Sequence, residues 1–327
     1  MSTKINRIAV FTSGGDAPGM NAAIRAVVRT AAFHDLHVYG IYNGYEGMID
    51  GEFELLERRN VGNIIHRGGT LLKTARSQRF MTPEGRASAY ESLKAYDIDA
   101  CIALGGNGTF TGAQVFSQEF DIPMIGVPCT IDNDLFGTDF TIGYDSAVNT
   151  AIQAVDKIRD TAESHNRLFF IEVMGRNSGY IALATAIGSG AGFVLVPERN
   201  GSLEDLIQRL RLNAKRKKLF SLVIVAEGNK LGPASEIARR VKEELTIYDV
   251  RVAMLGHLQR GGAPSSFDRM LASRLGYAAV EGLLAGRRNE MVGLVNDEIC
   301  FTPFEAAISR EKQPKDELFR LAEVLAI

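Results

Sequence analysis

Short, uninterrupted apolar runs alternate with amphipathic stretches along the whole chain. The runs at residues 8–11, 100–104, 168–171, 193–196, 221–225 and 291–295, with the apolar stretch 122–125, read as strands buried on both faces. Between them, residues 21–33, 146–160, 203–213 and 235–245 space their apolar positions as helices do. Alternation of this kind predicts βαβ units, and hence an α/β fold built on parallel sheets flanked by helices. No short-period repeat and no Pro/Ser-rich linker interrupts the pattern, so two compact lobes are expected.

Composition narrows the class. A chain of 327 residues, 46% of them hydrophobic, is long enough for a sizeable core. Its net charge of −2 gives no reason to expect a nucleic acid partner, which makes the basic run Lys215-Arg216-Lys217-Lys218 a local feature. Cys101, Cys129 and Cys300 are far apart and lack metal-ligand spacing, so a disulfide framework is not expected and a reducing cytoplasm is. The start, Met-Ser-Thr-Lys, runs straight into a strand with no signal-peptide hydrophobic region, and no apolar run approaches a membrane span. The expectation is a cytoplasmic protein without a membrane partner.

Candidate chemistry sits where strands give way to turns, the place where open α/β sheets bind ligands. Pro-Cys-Thr-Ile-Asp-Asn-Asp, residues 128–134, puts Thr130, Asp132 and Asp134 on one short turn after the 122–125 run. Carboxylates there can take a proton from a hydroxyl nucleophile or hold a metal. Gly105-Gly106-Asn107-Gly108-Thr109 follows another strand and opens a helix, and its backbone N–H groups suit phosphate oxygens. Thr-Ser-Gly-Gly-Asp-Ala-Pro-Gly-Met-Asn, residues 12–21, is a second turn of this kind, in which Gly14 and Gly15 permit close backbone approach; a plain tight turn is the bland alternative. Neither the dinucleotide Gly-x-Gly-x-x-Gly pattern nor a Gly-x-x-x-x-Gly-Lys-Ser/Thr loop occurs. Arg76, in a small-residue loop with Ser77, offers a planar fork that can bridge two phosphates. Arg167, Arg176, Glu227, Arg251 and the stretch His257-Leu258-Gln259-Arg260 add groups suited to an anionic, hydroxyl-bearing substrate, although any one of them alone would be read as structural or solvated. A phosphate cradle beside an acid pair suggests phosphoryl transfer.

The segments 12–21, 130–134 (Thr-Ile-Asp-Asn-Asp), 173–176 (Val-Met-Gly-Arg) and 256–262 (Gly-His-Leu-Gln-Arg-Gly-Gly), in this order, resemble the bacterial ATP-dependent 6-phosphofructokinase family. The resemblance runs from Ile5 to about Phe304. It implies a phosphofructokinase-like α/β fold of two lobes, each a mainly parallel sheet flanked by helices. Residues 1–142 with about 259–305 would form the larger, ATP-binding lobe, and about 143–258 with 306–327 the smaller, sugar-phosphate lobe. It also implies Asp132 as the general base on the 1-hydroxyl of fructose 6-phosphate, which attacks the γ-phosphate of ATP in the committed step of glycolysis. Thr130, Arg76 and Arg176 would be the other catalytic groups. Gly15, Arg76, Ser77, Gly106, Asn107, Gly108 and Thr109 would line the ATP site, and Thr130, Ile131, Met174, Gly175, Arg176, Glu227, His257, Leu258, Gln259 and Arg260 the sugar-phosphate site. Arg167 and Arg251 match arginines that reach the 6-phosphate of a neighbouring subunit, so the resemblance implies a homotetramer. ADP or phosphoenolpyruvate would bind as effector through Arg25, Arg29, Arg58, Arg159, Arg216 and Lys218.

Three positions depart from the family. Asn107 stands where the family has an aspartate that helps hold Mg²⁺; an amide oxygen can ligate a hard cation but adds no charge. Cys129 replaces a glycine of the ATP users, where pyrophosphate users often have lysine. Gly192 replaces a glutamate that binds the effector's metal. Gly108, small as in the ATP users, argues for ATP as donor. Two alternatives to a working ATP-dependent kinase are a weakened or regulatory paralogue, motivated by Asn107, and a pyrophosphate-dependent enzyme, disfavoured by Gly108.

Overall fold

The computed structural model describes residues 5–165, 167–216 and 221–326. In chain order the strands are β1 (Arg7–Thr12), β2 (His37–Ile41), β3 (Phe53–Leu56), β4 (Ala100–Gly105), β5 (Met124–Pro128), β6 (Arg167–Val173), β7 (Phe193–Leu195), β8 (Ser221–Ala226), β9 (Asp249–Met254), β10 (Glu290–Val295) and β11 (Glu298–Pro303). The α-helices are α1 (Met20–Phe33), α2 (Gly44–Asp50), α3 (Pro83–Ala95), α4 (Asn107–Phe120), α5 (Tyr144–Ser164), α6 (Tyr180–Ser189), α7 (Leu203–Lys215), α8 (Ala234–Glu244), α9 (Ser266–Leu284), α10 (Phe304–Ser309) and α11 (Asp316–Leu325). Two compact units result. The first comprises Met1–Thr130, Leu135–Asp145 and Arg260–Lys312, the second Ile131–Asp134, Ser146–Gln259 and Gln313–Ile327.

In the first unit the strand order is β11-β10-β5-β4-β1-β2-β3. Pairing is parallel from β10 through β2, and β3 and β11 close the two edges antiparallel. The chain leaves β1 towards β2 on one side and returns as β4 on the other. That reversal makes the carboxyl ends of β1 and β4 a topological switch point, where such sheets bind ligands. Every residue of β4 and β5 is buried, as expected for strands covered on both faces. Phe11, Phe110, Phe116 and Phe304 fill the core on one side. Arg86 is also buried there, held bidentately by Glu119 at 2.6 and 2.7 Å and donating to the Phe80 and Met81 carbonyls, so its role is structural.

The second unit has a wholly parallel sheet in the order β7-β8-β6-β9. Leu168, Phe170, Val223 and Val225 on its strands meet Leu206, Leu210, Ile237 and Val241 from α7 and α8. Ser202 caps α7, its Oγ accepting from Asp205 N at 3.2 Å, as a serine before an amphipathic run should. The edge strand β9 exposes most of its residues, Val252 and Met254 among them, and Asp249 and Arg251 interrupt the apolar positions of its first half. Among the described residues no helix is long and apolar enough to cross a membrane.

Candidate active site

The two glycine-rich turns flank the switch point of the first unit. Ser13 N donates to Leu104 O at 3.0 Å, and Thr109 Oγ1 donates back to Ser13 O at 3.0 Å, stitching the turn after β1 to the start of α4. Gly106 is the N-cap of α4, with no side chain to cap the helix end, and Asn107 is its first residue. The first-turn N–H groups of a helix have no partners within it, and their dipole favours an anion. Gly15, Asn107 and Gly108 are exposed there. A side chain built at Gly108 would meet nothing within 4 Å, so the glycine leaves open space beside the turn.

Thr130 lies against this cradle: a Cβ on Gly106 would be 3.6 Å from Thr130 Cβ. Its backbone is fixed by the bond from Thr141 Oγ1 to Thr130 O at 2.6 Å. Cys129 before it is fully buried and donates its N–H to Gly105 O at 2.9 Å. Burial, and secondarily the Asp268 carboxylate, pushes its thiol pKa well up, so Cys129 is a packing residue rather than a nucleophile. Arg76 is exposed on the irregular loop between β3 and α3, and Ser77 Oγ accepts from Phe80 N at 3.0 Å. Arg260 belongs to the same unit. Its Nη1 donates to Asp16 O at 2.9 Å, and a Cβ on Gly15 would lie 2.8 Å from that nitrogen, so the guanidinium borders the first glycine turn.

In the second unit, Asp132 is 3% exposed and its neighbour Ile131 is buried. Ser178 joins it to the turn after β6: Ser178 Oγ donates to Asp132 O at 3.0 Å, while Ser178 N donates to Gly175 O at 2.8 Å. That turn carries Met174, Gly175 and Arg176. Arg176 is exposed and has φ +52°, a conformation non-glycine residues adopt at a cost. Glu227 stabilises it, Oε1 accepting from Gly175 N at 3.3 Å and Arg176 N at 2.7 Å. The sequence offers Glu227 as a holder of a sugar hydroxyl; one of its oxygens already holds the arginine turn. Gln259, fully buried, accepts from Met174 N at 2.9 Å through Oε1, while His257 and Leu258 beside it are exposed. Arg167 and Arg251 converge on Asp249 Oδ2 at 2.8 and 3.1 Å, and the Arg167 bond above all holds that carboxyl below its usual range.

Among the effector candidates, Arg25 and Arg29 lie on α1, four residues apart, and burial followed by Arg29's charge lowers the pKa of Arg25. Arg58 donates to Ala32 O at 3.2 Å, and Arg159 on α5 donates to Ser189 O. Arg216 is exposed just after α7, and Lys218 lies outside the described residues. Gly192 follows α6, its N–H bonded to Leu222 O. Sequence reasoning missed Tyr45. Its buried hydroxyl donates to Thr109 O at 2.6 Å and so braces the first turn of α4, a contact that no spacing in the sequence signals.

An open α/β sheet with two anion-suited turns at its switch point marks the class: a phosphate-binding α/β protein. The comparison is more specific, because the model of the family described as Phosphofructokinase matches residues 7–283. The chain belongs to the phosphofructokinase family. It is 54% identical over 321 residues to the ATP-dependent 6-phosphofructokinase of Cytophaga hutchinsonii, with 98% of each chain covered. It is 53% identical over 323 residues to ATP-dependent 6-phosphofructokinase 1 of Thermus thermophilus, covering 99% of this chain and 100% of that one. Among solved structures, phosphofructokinase from Saccharomyces cerevisiae superimposes with a TM-score of 0.88 at 35% identity over 93% of this chain, which spans 45% of the yeast chain.

Proposed function

We propose that the chain transfers the γ-phosphoryl group of ATP to the 1-hydroxyl of D-fructose 6-phosphate, giving fructose 1,6-bisphosphate and ADP. The observation that carries this reading is 54% identity across 98% of the chain to a protein named for that activity. Asp132 takes the proton from the attacking hydroxyl. Thr130 hydrogen-bonds the transferring group, and Arg76 and Arg176 offset its growing charge, because phosphoryl transfer needs positioning and charge neutralisation above all. Gly15, Ser77 and the Gly106–Thr109 turn line the ATP phosphates. The open space beside Gly108 supports a nucleotide rather than pyrophosphate as donor. Met174, Gly175, Glu227, His257, Leu258, Gln259 and Arg260 form or support the sugar-phosphate subsite.

Mg²⁺ belongs to this reading as part of the substrate, MgATP. The donor set fits that role and not a resident ion: Asn107 supplies one neutral amide oxygen, and no group of three or more His, Cys, Asp or Glu among the described residues could hold a metal. Mg²⁺ characteristically takes few protein ligands and several from substrate phosphates. Bound with the nucleotide, it neutralises charge on the β- and γ-phosphates. Asn107→Asp, with Asp134 unchanged, is therefore expected to raise activity about tenfold at limiting Mg²⁺, roughly 1.4 kcal/mol, and little at saturation. Titrating Mg²⁺ at fixed ATP checks this.

We extend the proposal to a homotetramer in which Arg167 and Arg251 reach the 6-phosphate held by a neighbouring subunit, and to a cytoplasmic setting. ADP or phosphoenolpyruvate would act through Arg25, Arg29, Arg58, Arg159, Arg216 and Lys218. Gly228 provides a check on the sugar-phosphate subsite. A Cβ there would come within 1.8 Å of Arg176 O, so alanine must displace the turn that Glu227 holds. At an overpacking cost of about 1–3 kcal/mol, Gly228→Ala is expected to raise the KM for fructose 6-phosphate about tenfold or more, with the KM for ATP little changed. The reading as a whole is tested by a coupled assay of fructose 6-phosphate phosphorylation, with ATP and pyrophosphate offered separately. ATP-dependent turnover supports it; turnover with pyrophosphate alone, or with neither donor, overturns it.

A further inference from the structure

We infer that Asn21, which binds no substrate in the scheme above, is a positioning residue that sets the loop carrying Arg76. The inference rests on the phosphoryl-transfer reading. Asn21 is the second residue of α1 and is 3% exposed. A buried amide must spend its polar atoms on partners. Asn21 spends them all on one segment: Nδ2 donates to Arg67 O and Gly68 O, each at 3.1 Å, and Oδ1 accepts from Leu71 N at 2.6 Å.

That segment, residues 67–78, has neither helix nor strand to satisfy its backbone. It turns through Gly69 at φ +65° and Lys73 at φ +57°. Its other ties come from the first glycine-rich turn and from its neighbours. Thr12 Oγ1 donates to Lys73 O at 2.6 Å, Thr74 Oγ1 donates to Gly14 O at 2.8 Å, and Asn43 N donates to Leu72 O at 2.9 Å. Gly68 packs so closely that a Cβ would lie 2.2 Å from Gly262 O. One amide thus fixes the start of the loop on both its donor and its acceptor side. The threonines register the middle of the loop against the phosphate turn, and Arg76 follows two residues beyond Thr74. No other side chain matches the pattern of two donors and one acceptor at this length. Aspartate is isosteric but would face two carbonyls with acceptors only.

The test is a double-mutant cycle on the full chain, read by steady-state kinetics. A displacement of the order of 1 Å can cost about 100-fold. Asn21→Ser is expected to lower kcat by about 30-fold, within that limit. In an Arg76→Ala background the same change is expected to cost about twofold or less, since residues acting as one unit are not additive. Hydrogen exchange of residues 67–78 should quicken in Asn21→Ser while the remainder of α1 keeps its protection. If Asn21→Ser does not fold, Asn21→Asp replaces it. Its activity relative to the unmodified chain should rise as pH falls from about 8 to 6, because a protonated carboxyl regains one donor. Equal losses in both backgrounds, unchanged exchange of the loop, or a pH-independent deficit would overturn the inference while the unmodified chain stays active. An inactive unmodified chain would instead overturn the functional reading on which it rests.

Discussion

Replacing Asp132 by asparagine is expected to lower kcat by about 10²–10⁴-fold, the usual contribution of a positioned general base. The substitution keeps volume and shape while it removes the negative charge and, with it, the ability to take a proton. The backbone carbonyl of Asp132 accepts from Ser178 Oγ, and that bond survives the change. The thermal melt should therefore stay near that of the unmodified chain, and the KM for ATP should move little. Steady-state kinetics with both substrates varied would check this. A loss below tenfold would remove Asp132 from the role of base.

The second large effect is expected at Arg76. Removing one preorganised donor aimed at developing charge typically costs about 10²–10³-fold in kcat, and Arg76→Ala should fall in that range. Arg76→Lys should recover only part of it, because an ammonium keeps the charge but not the planar two-pronged fork. Arg86 gives the contrast within the same unit. It is buried, paired to Glu119 and bonded to two carbonyls, so it maintains the fold, whereas Arg76 lies exposed on an irregular loop. Single-turnover measurements with saturating ATP separate a slowed transfer step from weakened binding. A variant in which only the KM for ATP rises would reassign Arg76 to ground-state nucleotide binding.

The parts of the fold that could be read from the sequence are those where burial on both faces leaves a continuous apolar run, as in β1, β4 and β8. β3, read Phe-Glu-Leu-Leu, and β9, read Asp-Val-Arg-Val-Ala-Met, sit at sheet edges with much of their length exposed, and charged residues break their apolar positions. The site divides in the same way. Glycine turns and the Asp132 segment can be read locally, because their chemistry depends on neighbours in sequence. What holds them is long-range: Asn21 with Arg67 and Ser178 with Asp132 are each 46 residues apart, and Gln259 with Met174 is 85. Glu227 illustrates the consequence. As a lone carboxylate at a strand end it suggests a ligand contact, and only the folded chain reveals that it stabilises the left-handed Arg176 turn.

Phosphorus NMR of the unmodified protein incubated with MgATP and fructose 6-phosphate follows the phosphoryl transfer itself. Stoichiometric appearance of ADP and of a second sugar phosphate resonance at the 1-position is expected, with no product when pyrophosphate replaces ATP. Release of inorganic phosphate without a 1-phosphorylated sugar, or phosphorylation of the sugar by pyrophosphate alone, would contradict it.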